Sequence, residues 1–190
     1  MADTKTKKPG IIWMSSREVA MTAALGGLGF ASVALGLIIP LLPGGGSVFA
    51  LQGLSPIASI AGGPIVGLIV TALMGTPRTF ALINWLLGFG QVIVAFGYYP
   101  LRNKSLPVRL GGFILLDFIS WQVYGNWIGT WFLVDVYKVV PPDGFWPLYY
   151  FMATVFTGAT IIIDAIFVAI AFIIFPKFMK PDWLNRWRGR

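Results

Sequence analysis

The sequence predicts an all-α membrane protein, a polytopic bundle of about six transmembrane helices. Hydrophobic residues make up 57% of its 190 residues and charged residues only 11%, whereas an ordinary soluble domain has about 25% charged residues. The apolar runs reach the ~20 residues that a spanning helix needs. They lack the alternating segments of about ten residues that are typical of membrane barrels. We therefore expect one helical domain in the cell (plasma) membrane.

Four apolar blocks each predict one span: Val19–Leu42, Thr79–Tyr99, Leu110–Val134 and Leu148–Phe175. Basic segments flank them, over residues 1–16 at the start and residues 177–190 at the end, so that residues 17–176 form the predicted bundle. The N-terminal segment lacks the apolar core and cleavage site of a signal peptide. The first block is therefore predicted to be a retained anchor.

The fifth apolar block, Leu54–Arg78, contains Gly62-Gly63-Pro64 at its centre. Proline disfavours helix at the residue before it and is well suited to begin a new helix. Glycine permits a tight reversal. The block is therefore predicted to form two short helices, of which Ile65–Gly75 reaches only about 16 Å, roughly half of a ~30 Å bilayer core. Short apolar segments interrupted by Gly and Pro are typical of transporter binding sites.

The distribution of positive charge favours the same two-helix interpretation. With a turn at Gly63, Arg102, Lys104 and the cationic tail all lie on the cytoplasmic side with the N-terminus. The outer loops then hold only Arg78 and Lys138 as cations. The net charge of +7 is thus attributed to topology and to contact with anionic lipid heads, not to nucleic-acid binding. Both termini are predicted to be cytoplasmic.

The absence of Cys and His excludes disulfides, thiol chemistry, iron–sulfur clusters and the usual zinc sites. The chain also has no Walker A sequence, so any ATP hydrolysis belongs to another chain. We therefore expect no enzymatic activity, no metal site and no cofactor. A proton relay or an ion-coupled carrier built on Asp117 and Asp164 is the alternative that these two carboxyl groups leave open.

Two carboxylates fall inside the predicted spans, where charged groups are expensive and are usually functional. Counted from the cytoplasmic ends of their helices, Asp117 and Asp164 lie at depths of about 13 and 16 Å. The depths nearly match, so the two groups are expected to face each other or a shared cation. Ligand or partner binding is the preferred interpretation, and a structural bridge is the alternative.

Aromatic and amide side chains follow in the outer half of the predicted bundle. Trp121 and Tyr124 share a helix face with Asp117, which gives a stripe with a carboxylate below aromatic rings. Such a pocket suits a planar, nitrogen-bearing small molecule. The candidate solute-binding residues are Asn84, Trp85, Asp117, Trp121, Tyr124, Tyr149 and Asp164.

The alternative interpretation is that these aromatic residues have no ligand and belong to the belt that Trp and Tyr form at both membrane interfaces. It is preferred for the residues nearest the outer end, namely Trp127, Trp131, Trp146, Tyr149 and Tyr150. For the deeper Trp121 and Tyr124, belt and pocket fit equally well. At the cytoplasmic ends, the predicted interface anchors are Trp13, Trp183 and Trp187.

Two stretches carry a resemblance to a known family. A basic start leads into "SREVAMTAALGGLGF", in which Ala20 and Ala24 have Ala-x-x-x-Ala spacing, and "IAGGPIVGLIVTALMG" contains the Gly-Pro turn. The layout resembles the substrate-binding S component of energy-coupling factor (ECF) transporters, which take up vitamins. As topology the resemblance covers nearly the whole chain; as sequence it covers roughly the first 80 residues.

The resemblance implies capture of a small, vitamin-like solute at the outer face, in the outer half of the bundle. It also implies partners: a transmembrane coupling subunit that docks on Ala20 and Ala24, and two cytosolic ATPases. The competing hypothesis is a structural or accessory subunit of a larger membrane enzyme complex. The outer half distinguishes them, because an importer subunit needs a cavity there with polar groups at its base, whereas an accessory subunit is packed solid or filled by lipid.

Overall fold

A computed structural model of the chain describes residues 14–42, 45–78, 81–180 and 182–187, and most of these residues are helical. The helices are α1 (Ser16–Ala34), α2 (Leu54–Gly62), α3 (Pro64–Gly75), α4 (Ala81–Leu101), α5 (Leu106–Val136), α6 (Pro142–Ile174) and α7 (Trp183–Trp187). Helices α4, α5 and α6 are long and apolar enough to cross a membrane. The architecture agrees with the predicted helical membrane protein.

The predicted all-α fold needs one correction, a two-stranded antiparallel hairpin after α1. Strands β1 (Ile38–Leu42) and β2 (Gly45–Phe49) pair with Ile38 opposite Phe49. The first helix therefore ends at Ala34 and does not extend to Leu42 as predicted. Gly36 has a φ of 74°, which turns the chain out of the helix, and Pro40 cannot donate a helical hydrogen bond.

The predicted break at Gly62-Gly63-Pro64 is present, and the chain reverses there. Gly63 has φ 96° and ψ 178° between the end of α2 and the start of α3, a conformation essentially confined to glycine. Gly67 packs directly against Ser59. In a continuous helix these residues would lie about 12 Å apart along the axis, so their contact shows that α2 and α3 form a helical hairpin.

Contacts define two ends of the bundle. At the end that we call the hairpin end, the Arg78 side chain after α3 reaches the strand pair: Nη2 donates to Ser47 Oγ at 2.9 Å. At the opposite end, which we call the tail end, the C-terminal segment meets the starts of two helices. The Arg17 guanidinium lies 5.5 Å from the Phe178 ring centre, and Trp183 packs on Gly63.

The tail end is closed by apolar packing. Trp183 is fully buried, and its ring makes edge contacts with Phe96 and Tyr99 at centroid distances of 5.4 and 5.1 Å. The prediction of Trp183 as an interface anchor was therefore wrong, because its ring faces the protein. Trp13 and the side chain of Trp187 lie outside what the structure describes. The buried core nearby includes Met21, Ala58, Ile60, Val66, Tyr98, Phe172 and Met179.

Candidate solute site

A cavity of about 600 Å³ opens inside the bundle, between the strand hairpin and helices α2 to α6. This volume lies within the range of small-molecule sites, about 300–1,000 Å³. Its wall is mixed, with polar residues beside aromatic ones. The polar lining residues are Ser47, Gln52, Ser55, Thr71, Arg78, Asn84, Gln91, Ser120 and Asp164, and the aromatic ones are Phe49, Trp121, Tyr124 and Phe156.

The base of the cavity is a carboxyl pair. Asp164 lines the cavity, is 1% exposed, and adjoins the fully buried Asp117. Within the described part of the chain, both Asp117 oxygens and Asp164 Oδ1 have no hydrogen-bond donor. Two ionised carboxylates only accept, so a hydrogen bond between them requires a proton on one. Three of the four carboxyl oxygens of this pair can therefore accept a hydrogen bond from a ligand at the base of the cavity.

Two donor side chains surround the Asp164 carboxyl group. Trp121 on α5 and Gln52 at the start of α2 both face it. Gln52 is 7% exposed, and its Nε2 forms no hydrogen bond to a described residue. Buried polar groups are normally hydrogen-bonded. A donor and an acceptor thus lie side by side without full satisfaction by the protein, as expected where a polar ligand binds.

The wall formed by α5 and α6 departs from regular α-helix next to the cavity. Trp121–Ile128 on α5 and Met152–Phe156 on α6 adopt π-helical hydrogen bonding, which is rare and is frequent at functional sites. The two helices are joined there by Asn126, whose Nδ2 donates to Thr157 Oγ1 at 2.9 Å. This buried bond fixes the π-helical segment that carries Trp121 and Tyr124.

The facing wall is formed by α2, α3 and α4. Ser59 Oγ lies 2.7 Å from Gln91 Oε1, so that the hydroxyl can donate to the amide across α2 and α4. Because Gly67 has no side chain, α3 approaches α2 directly over Ser59. Ser55 Oγ contacts Met74 Sδ at 3.3 Å between the same two helices. These contacts hold Gln91 in the wall of the cavity, with an amide facing inward.

At the hairpin end, a cation borders the cavity. The Arg78 guanidinium lies 5.4 Å from the Phe49 ring centre and donates to Ser47. Asn84 on α4 packs against Gly75 at the end of α3 and lines the same part of the cavity. Among the described residues, the lining thus contains one carboxylate, Asp164, and one guanidinium, Arg78, carried by different elements.

The structure brings most of the predicted solute-binding residues together. Four of them line the cavity, and Asp117 lies directly beside Asp164: the four are Asn84, Trp121, Tyr124 and Asp164. Trp85 lies outside, because its half-exposed indole points to the α3–α4 loop and donates to Thr76 Oγ1 at 3.2 Å. Tyr149 also lies outside, in an aromatic cluster with Trp127 and Trp146.

The predicted docking residues lie on the outer surface of α1. Ala20 and Ala24 are both exposed, and a side chain added at Gly27 on the same helix would meet no atom within 4 Å. The opposite face of α1 is buried, where Gly26 and Gly29 receive Leu73 and Met74 of α3. α1 therefore has a packed face and an exposed face, on which Ala20, Ala24 and Gly27 lie beside larger apolar residues such as Leu28, which is 54% exposed.

Several lining residues were missed by the sequence prediction, above all Gln52, Gln91 and Arg78. The two glutamines carried a usable signal, because an amide within or beside an apolar segment is expensive to bury unless it has a partner. Arg78 was counted only as a topological charge. Its role depends on the strand hairpin, which the sequence analysis placed in a helix and a loop.

Comparisons with protein-family models, with curated protein sequences and with solved structures find no match to this chain.

Proposed function

We propose that this chain is the solute-binding membrane subunit of an ECF-type importer. The observation that carries the proposal is the cavity of about 600 Å³, with the Asp117–Asp164 pair at its base and aromatic rings on its wall. Intramembrane carboxylates are costly and usually functional. Binding of a small solute to such a group in the cavity would explain why the chain keeps carboxylates inside the membrane in spite of their energetic cost.

The proposal includes a topology of six crossings with both termini in the cytoplasm. The tail end faces the cytoplasm, where Arg17, Arg102 and Lys177 satisfy the positive-inside rule. The hairpin end faces outward, so solute enters from outside. A coupling subunit binds the exposed face of α1 around Ala20 and Ala24, because membrane helices approach closely over small residues. Cytosolic ATPases supply the energy for transport.

The cavity weighs against an accessory subunit of a membrane enzyme complex. That function needs no polar interior space, and a bundle built only for packing would avoid buried groups such as Asp117 and Gln52, which have atoms without a hydrogen-bond partner among the described residues. The exposed face of α1 fits either function. The two proposals therefore differ in what occupies the cavity and not in whether a partner binds.

The test is identification of solutes released by heat from protein purified in mild detergent from its host membranes. A matched pair of variants sharpens it. Thr71 lines the cavity and donates to the Gly67 carbonyl at 2.8 Å, whereas the exposed Thr154 donates to the Tyr150 carbonyl at 2.6 Å. Both threonines bond four residues back on a helix, so Thr71→Phe and Thr154→Phe differ mainly in whether the ring fills the cavity.

We expect wild type and Thr154→Phe to release a small solute in near-stoichiometric amount, and Thr71→Phe to release little or none. Native mass spectrometry of the undenatured sample is expected to show the same mass difference and co-purified ATPase subunits. The proposal fails if no solute accompanies wild type and the chain instead associates stoichiometrically with catalytic membrane subunits.

A further inference from the structure

We infer that the cavity takes a bipolar aromatic solute, with a cationic nitrogen at Asp164 and an anionic group at Arg78. This inference rests on the proposed function and narrows its substrate class. It depends on the placement of the single carboxylate and the single guanidinium in the described lining of one cavity.

The base selects a nitrogen donor. Asp164 and Asp117 adjoin each other, and three of their four carboxyl oxygens have no donor among the described residues. Two adjacent carboxylates repel each other unless a proton or a cation lies between or beside them. The Trp121 indole N–H points to the Asp164 carboxyl group, which leaves the other oxygens of the pair to accept from a ligand. A protonated amine or amidine satisfies both groups at once.

The hairpin end selects an anion. Arg78 has five N–H donors, and the described hydrogen bond to Ser47 engages one of them. Its guanidinium lies over the Phe49 ring, and this contact orients the N–H donors without neutralising their positive charge. Arginine recognises carboxylate and phosphate groups through paired N–H donors. Either anion fits this chemistry, and the size of the released solute distinguishes them.

The aromatic residues of the lining select an aromatic body. Trp121 and Phe156 are in edge contact at a centroid distance of 5.6 Å, and Tyr124 lines the cavity on the same helix as Trp121. Rings of this kind bind a flat ring by stacking or edge contacts. The amides of Gln52 and Gln91 add hydrogen-bonding positions along the wall, which favours polar substituents on that ring.

The experiment uses four probes that share one ring and differ only in charge. They are para-aminomethylbenzoate with both charges, benzylamine with the cation, benzoate with the anion, and benzyl alcohol with neither. Each is titrated into the purified full-length protein in detergent after release of any bound solute, and the dissociation constant is measured by calorimetry. We expect the bipolar probe to bind at least about tenfold more tightly than either singly charged probe.

Charge-removing variants assign each preference to one end. Asp164→Asn is expected to lose the advantage of an ammonium group and keep that of a carboxylate, and Arg78→Gln is expected to do the reverse. The controls are Asp135→Asn, at an exposed carboxylate outside the cavity lining, and Arg102→Gln. Arg102 also stacks on an aromatic ring, at 3.9 Å from the centre of Tyr99, but belongs to the tail end.

The outcomes separate this inference from the proposed function. Equal or tighter binding of a singly charged or uncharged probe overturns the bipolar class, and so does the absence of binding by all four. The same holds if Asp164→Asn and Arg78→Gln weaken every probe alike, since that indicates general damage. In each case a solute released from wild type and absent from Thr71→Phe still supports a solute-binding subunit.

Discussion

The two ends of the bundle use similar residue types differently: the tail end is packed, whereas the hairpin end encloses a cavity. At the tail end, tryptophan, glycine and arginine are used for packing: Trp183 covers Gly63, and Arg109 is buried with its guanidinium 4.7 Å from the Phe172 ring centre. At the hairpin end, Trp121 and Arg78 line a cavity instead. The comparison teaches that residue type does not decide the role of these groups. What decides it is whether the facing helix fills the space.

The comparison predicts that truncation at the tail end has the largest effect on stability. Trp183→Ala removes a fully buried ring and is expected to lower the free energy of unfolding by about 3–5 kcal/mol. The matched control is Trp146→Ala at the hairpin end, where the ring is 54% exposed, and a clearly smaller loss is expected. Thermal unfolding in the same detergent measures both. Similar losses for the two variants would contradict the proposed difference between the ends.

The turn between α2 and α3 is the second test of the tail end. Gly63→Ala forces a side chain into a glycine-only conformation at φ 96°, which costs about 1–3 kcal/mol, and its Cβ meets the Trp183 ring at 3.0 Å. We expect a lower unfolding temperature and an easily cleaved C-terminal tail.

Gly158→Ala on α6 is the control for this substitution, because an added Cβ there meets no atom within 4 Å. Alanine is also the better helix former, so this variant is expected to be neutral or slightly stabilising. If Gly63→Ala is equally harmless, the turn does not hold the tail end together.

The sequence allowed prediction of those parts of the fold that depend on local chemistry. The Gly62-Gly63-Pro64 turn was predictable because proline restricts the backbone, whatever surrounds it, and glycine permits the positive φ that the reversal needs. The nearness of Asp117 and Asp164 was predictable from equal depth in two neighbouring helices. The position of α1 was predictable from its apolar run, and its start is fixed by a capping box in which Ser15 and Glu18 exchange hydrogen bonds.

The parts that were not predicted depend on contacts with other segments of the chain, near or distant. Ile38–Leu42 continues an apolar run and read as helix; it pairs as a strand because β2 lies opposite. Trp183 was predicted to be an interface anchor, but it is buried by Phe96, by Tyr99 and by the turn at Gly63, 120 residues earlier. Trp85 and Tyr149 lie near the cavity in depth but on other helix faces. Counting residues along a helix gives depth, whereas the direction in which a side chain faces also depends on how each helix is rotated by its neighbours.

At the hairpin end, the α5–α6 link is expected to affect stability and binding together. Asn126→Ala removes the buried hydrogen bond to Thr157, and the expected loss in unfolding free energy is about 1–2 kcal/mol. The released π-helical segment carries Trp121 and Tyr124, so affinity for para-aminomethylbenzoate is expected to fall as well.

Gln122→Ala is the internal control for this link. The Gln122 Nε2 donates to the Ala153 carbonyl across a long distance, 3.4 Å, and this hydrogen bond is only partly buried. Thermal unfolding and calorimetry on both variants measure the difference. A loss of stability with unchanged affinity would indicate that the link supports the bundle but does not position the cavity wall.

The smallest expected effect distinguishes the two ends most clearly, because its sign is reversed. Asp117→Asn replaces one of two adjoining carboxyl groups by an amide whose Nδ2 can donate to Asp164, and a gained hydrogen bond contributes about 0.5–1.5 kcal/mol. Most substitutions at fully buried positions destabilise a protein, so a higher unfolding temperature for Asp117→Asn is diagnostic. Asp135→Asn, at an exposed carboxylate, is expected to change nothing. A marked fall in stability would instead show that Asp117 holds the bundle together, and the base of the cavity would then resemble the packed tail end.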